Sequence, residues 1–106
     1  MDFVTMWLAQ DPIQSPRRIF VHLVDPSSGK VIAQHDGLDS PTRFWRNQDE
    51  VLQTHHLAIP QDAPLGEYEL RIGLYDPITG IRVPLTTKRD TDGPDYIVLG
   101  TIEITR

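Results

Sequence analysis

Apolar side chains recur at every second position of this chain, and that period decides its fold class. Tyr68, Leu70, Ile72 and Leu74 alternate with Glu67, Glu69, Arg71 and Gly73. Successive side chains on an extended strand point to opposite faces, so the segment reads as a half-buried antiparallel strand. Ile19, Val21 and Leu23 alternate in the same way with Phe20, His22 and Val24, and Phe3, Thr5 and Trp7 with Val4, Met6 and Leu8. Near the C-terminus Ile97, Leu99, Thr101 and Glu103 face one way and Val98, Ile102 and Ile104 the other. Nine prolines and seven glycines punctuate the sequence and leave no convincing amphipathic helix. Segment 42–53, with Pro41 as a cap, has room for one helical turn at most. Strands are expected at 3–9, 17–25, 30–36, 49–59, 66–76, 80–85 and 95–105. Seven short strands between turn signals predict an all-β fold, an immunoglobulin-like antiparallel β-sandwich, with a closed barrel as the alternative.

Two loops repeat one form. Leu23-Val24-Asp25-Pro26-Ser27-Ser28-Gly29 parallels Leu74-Tyr75-Asp76-Pro77-Ile78-Thr79-Gly80. Proline sets φ near the turn value, aspartate accepts nearby backbone N–H groups, and glycine takes the left-handed position that closes a hairpin. Both are predicted to join consecutive strands, and the turn accounts for each aspartate without calcium.

The length of 106 residues fits one domain, 1–106, with one core. The absence of cysteine excludes disulfides, thiolate metal sites and a thiol nucleophile. The net charge of −5 argues against nucleic acid and anionic membrane surfaces as partners. Residues 1–48 are balanced and residues 49–106 carry the whole excess. No apolar run approaches the roughly 18–20 residues that span a bilayer, so the domain is not itself membrane-inserted. Met1-Asp2-Phe3 has neither basic region nor cleavage site, and an alternating segment follows at once. This start is expected of a fragment of a longer protein.

Candidates for chemistry read as structural. His55 and His56 are adjacent, so a strand sends them to opposite faces, while His22 and His35 are positioned to approach across the 25–29 hairpin. Asp90, Asp92 and Asp95 resemble a calcium loop, but the twelfth position from Asp90 is Thr101, so a mobile loop is expected. Asp36 and Asp39 flank Gly37 in another turn, and Ser15, Ser27, Ser28 and Ser40 neighbour Pro or Gly or lie in turns. Glu67 and Glu69 have a spacing open to glycosidase carboxylates and are read as an exposed strand face. No nucleophile elbow, phosphate loop or dinucleotide fingerprint occurs. No enzyme activity, metal or cofactor is expected. Trp7 and Tyr68 belong to the expected core. Trp45 lies in the connecting run Pro41-Thr42-Arg43-Phe44-Trp45-Arg46, where it either plugs the open end of the sandwich or stacks on a sugar ring. Trp45, Phe44 and Tyr75 are therefore the candidate ligand-binding residues.

The order of motifs carries a resemblance. Thr5-Met6-Trp7-Leu8-Ala9 precedes Ile19-Phe20-Val21-His22-Leu23-Val24-Asp25, then Gly29-Lys30-Val31-Ile32-Ala33-Gln34-His35-Asp36, Pro41-Thr42 with Trp45, and Leu57-Ala58-Ile59-Pro60. Ala63-Pro64-Leu65-Gly66-Glu67-Tyr68-Glu69-Leu70-Arg71-Ile72-Gly73-Leu74-Tyr75-Asp76-Pro77-Ile78-Thr79-Gly80 follows. Most of the chain thus resembles the soluble C-terminal β-sandwich domain of multi-pass membrane proteins of cyanobacteria and chloroflexi. Those proteins are similar to the dolichyl-phosphate-mannose-type protein mannosyltransferase family. The resemblance implies an extracytoplasmic, non-catalytic accessory domain that binds or positions, with a glycan or another envelope protein as partner. In that group an apolar strand commonly precedes the segment like Thr5–Ala9. Its loss implies an open sheet edge and an edge-strand homodimer. Trp7-Leu8-Ala9-Gln10-Asp11 also departs from the group in lacking a basic residue after the tryptophan.

Overall fold

The computed structural model describes residues 1–10, 15–38 and 41–105. The readings made at Asp11, Asp39 and Ser40 lie outside them. Among the described residues six strands form two antiparallel sheets. They are β1 (Asp2–Leu8), β2 (Arg18–Val24), β3 (Val31–Gly37), β4 (Glu50–His56), β5 (Gly66–Tyr75) and β6 (Ile97–Ile104). The smaller sheet is β1-β4 and the larger is β3-β2-β5-β6. A single 3₁₀ turn, Thr42–Phe44, follows Pro41, as the sequence allowed.

Period two becomes burial directly. Ile19, Val21 and Leu23 of β2 lie opposite Leu74, Ile72 and Leu70 of β5. These rows, with Tyr68, Ala33 and Leu57, form the core between the sheets, and Phe3 and Trp7 of β1 pack against it. Complete burial of an aliphatic side chain contributes roughly 1.5–3 kcal/mol. At the start of β5 the Tyr68 hydroxyl donates to the Pro64 carbonyl four residues upstream, at 2.6 Å. That bond keeps the phenol satisfied inside the core.

The two hairpin turns are nearly superimposable in their bonding. Asp25 Oδ1 accepts the Ser27 N–H and Asp76 Oδ1 accepts those of Ile78 and Thr79. Gly29 and Gly80 both adopt φ 75°, a left-handed conformation that costs glycine nothing. Their outcomes differ. The first turn leads into β3. The second yields one bridge, Tyr75 to Arg82, in place of the strand expected at 80–85. Beyond Val83, which donates to the Leu74 carbonyl, β6 takes over that edge of β5 from Ile72 onward and the Leu85 N–H turns to the Pro94 carbonyl, so six strands are present among the described residues rather than seven.

The released segment instead covers part of the outer face of the larger sheet, at Phe20. Phe20 points outward from β2 yet is buried. The Arg82 guanidinium lies 4.2 Å above its ring, and Arg71 stacks 4.4 Å from the Tyr96 ring. The loop expected to be mobile is tied by Asp92, whose carboxylate accepts the backbone N–H groups of Arg89 and Val98 and a two-pronged contact from the Arg89 guanidinium. These donors hold the Asp92 carboxyl well below the usual range.

Gly73 leaves the space in which the Phe20 ring lies. A Cβ there would fall 2.5 Å from that ring and 2.7 Å from the Asp95 carbonyl. Gly73→Ala is expected to destabilise the domain by about 1–3 kcal/mol, and Tyr68→Phe by about 1–2 kcal/mol through the orphaned carbonyl. Urea unfolding midpoints of the two variants measure both.

Candidate functional site

The two sheets meet through an unexpected polar chain. In β4, Gln53 and His55 point inward while Thr54 and His56 point out, as alternation requires. His55 is 2% exposed and stacks on Phe3 of β1, ring centroids 4.9 Å apart. Its Nε2 lies 2.7 Å from the Thr5 hydroxyl, which also receives the Trp7 Nε1–H at 2.9 Å. The Thr5 hydroxyl, with one proton and a second lone pair, can serve either tautomer of His55. His55 Nδ1 faces Nδ1 of His35 in β3 at 3.4 Å. Trp7, Thr5, His55 and His35 thus form one chain of polar contacts from β1 through β4 to the larger sheet. Among the described residues no buried side-chain nitrogen or oxygen lacks a hydrogen-bond partner, as a polar insertion into an apolar interior demands.

A cleft of about 470 Å³ opens beside this chain, lined by Asp2, Phe3, Val4, His35, Thr54, His55 and His56. At its rim His56 pairs with Asp2, which keeps the Asp2 carboxyl below its ordinary range. Among the described residues no group of three or more histidines and carboxylates is placed to hold a metal ion.

A second hollow, about 230 Å³, lies on the outer face of the larger sheet among Phe20, His22, Asp36, Tyr75, Gly80 and Arg82. His22 is largely covered, and its ring stands 3.9 Å from the Asp36 carboxylate. Burial lowers its pKa, the Arg82 charge adds to that, Asp36 opposes it, and Arg71 lowers it further.

The sequence-derived candidates part company here. Val21 rather than His22 lies opposite His35, so His22 and His35 occupy opposite faces and do not meet across the hairpin. Trp45 is 6% exposed, whereas Phe44, one residue earlier, is 62% exposed. Tyr75 stands at the end of β5, its ring 6.4 Å from Phe20. Glu67 and Glu69 lie on the outer face of β5, and Glu69 accepts the Arg71 Nε–H at 3.2 Å. The sequence reading missed the His55–His35 contact. The inward parity of His55 with Gln53 was its only available signal.

No family model, no curated protein and no solved structure matches the chain, so these comparisons do not link it to the mannosyltransferase-like group.

Folding keeps His22 neutral more readily than the unfolded chain does. Its contribution to stability is therefore complete above its ordinary pKa of about 6.5 and is lost as pH falls below that value. Urea midpoints at pH 7 and pH 5 should differ more for the native sequence than for His22→Gln.

Proposed function

We propose that this chain is a non-catalytic accessory domain of a larger bacterial envelope protein, similar to the glycosyltransferase-like membrane proteins, and serves there in binding or positioning. Its fold is read as an immunoglobulin-like sandwich, supported by the β3-β2-β5-β6 order against β1-β4 and by the Tyr68 hydroxyl bond to Pro64. The observation that carries the functional reading is the outer face of the smaller sheet. Val4, Met6, Leu8 and Leu52 are 58%, 61%, 50% and 67% exposed, and Met6 and Leu52 sit directly opposite each other. A contiguous apolar stripe on a strand pair marks a surface used for contact rather than one built only to face water. The domain is placed on the extracytoplasmic side of its membrane-anchored parent.

An alternative reading, a carbohydrate-binding module around Trp45, draws on the exposed Phe44 ring beside it. A glycan array of the purified domain, with Trp45→Ala and Phe44→Ala as paired controls, decides it. Glycan binding lost in either variant would favour the module over the scaffold.

An antibody raised against the domain tests the principal reading in cells that make the protein. The expected result is a band well above 12.1 kDa in the membrane fraction, reactive from outside the cytoplasm. A band at the mass of this chain alone in the soluble fraction would overturn it.

A further inference from the structure

We propose that the open edge of β1 pairs with the same edge of a second copy, joining the two small sheets into one four-stranded sheet of order β4-β1-β1-β4. The inference rests on the edge geometry of this chain.

Backbone parity identifies the edge. Met1 and Leu57 exchange two hydrogen bonds, each 2.8 Å, and the Ala9 N–H donates to the Asp49 carbonyl at 2.9 Å. Between them the register runs unbroken from Asp2↔His56 to Leu8↔Glu50. Odd-numbered residues of β1 therefore turn their N–H and C=O groups toward β4. Asp2, Val4, Met6 and Leu8 turn theirs the other way, where no described strand pairs. Exposed edges are commonly blunted by lysine, proline or a bulge. β1 has none of these over its seven residues. The far edge of β4 presents Glu50, Leu52, Thr54 and His56, a more polar row.

Three observations favour a second copy as occupant. First, β1 is complementary to itself. Antiparallel pairing centred on Thr5 sets Val4 opposite the second copy's Met6, Phe3 opposite its Trp7 and Asp2 opposite its Leu8. Even residues then meet even residues, so the outward backbone groups of both strands are matched in about eight ladder bonds. The inner faces also remain on one side of the joined sheet. Second, the pairing extends the apolar stripe, because each Val4–Met6 pair adjoins Leu52. Third, charge does not oppose it locally. The one charged side chain of β1, Asp2, is paired with His56 of its own chain, and the two copies' Asp2 residues fall at opposite ends of the contact.

The larger sheet leaves room for the added strand. His55 and His35 place β4 over β3, so the open edge of β1 faces the β5–β6 side. There Ile97, Ile102 and Ile104 of β6 are only partly buried against the core.

Sedimentation across about a hundredfold range of concentration reads the equilibrium. The native sequence is expected to move from one-chain to two-chain mass as concentration rises. Met6→Pro removes an N–H that points to the open edge and not to β4, and should stay at one-chain mass with an unchanged far-ultraviolet spectrum. Amide exchange at Val4, Met6 and Leu8 in the native sequence should slow only at the higher concentrations. That second readout stands even if Met6→Pro fails to fold. One-chain mass at every concentration would overturn the proposal. So would two-chain mass that persists in a folded Met6→Pro, since the copies would then be meeting by another face.

Discussion

Strand β2 is buried on both faces, and the rest of the molecule is arranged around that requirement. Its inner row, Ile19, Val21 and Leu23, is fully covered by the smaller sheet and by neighbouring strands. Its outer row includes Phe20 and Val24, each 2% exposed, so a second cover is needed where a two-layer fold would offer water. The segment after the second hairpin supplies it. Arg82 lies over Phe20, Arg71 over Tyr96, and Gly73 leaves the hollow in which the Phe20 ring rests. Without Asp92 drawing the backbone of Arg89 and Val98 together, that cover would have little to hold its course.

The smaller sheet solves the opposite problem. Two strands supply little apolar surface to seal the interior of four. Part of the seal is polar: the Trp7–Thr5–His55–His35 chain ties β1, β4 and β3 together by hydrogen bonds inside the core. Such a chain is worth having only when every member is satisfied, and among the described residues no buried side-chain nitrogen or oxygen lacks a partner. Hydrogen bonds of this kind are directional where apolar contacts are not, so they also set the lateral position of one sheet over the other.

The two outer faces then differ in kind. The larger sheet is overlaid at Phe20 by its own chain, and Arg71 and Arg82 are engaged by rings and carboxylates. The smaller sheet is bare, with Val4, Met6, Leu8 and Leu52 in water and one edge of β1 unpaired. The domain covers Phe20 and Val24 on one face and leaves an apolar row open on the other, and the open side is the proposed contact surface. That asymmetry unites the proposed accessory role with the proposed pairing of two copies.

Alternation in the sequence determined the all-β class, the approximate position of every strand that formed, and the inward row of β5, because side-chain direction on a strand is local geometry. In β6 a bulge brings Ile97 to the same face as Ile102 and Ile104, which alternation had set apart. The Asp-Pro-x-Ser/Thr-Gly turns were equally legible, since their bonds close within six residues. The tertiary structure alone decided what each face meets. Two turns of one form led to a strand in one case and to a single bridge in the other, because β6 occupies the edge of β5 from Ile72 onward and the segment after the bridge lies with Arg82 over Phe20. The parity of His55 was readable, but its partner His35 lies 20 residues away in the other sheet. Likewise neighbouring Phe44 and Trp45 look alike in sequence, yet one is exposed and one buried. Pairing between sheets depends on how whole layers stack, which is a property of the assembled chain and not of any local spacing.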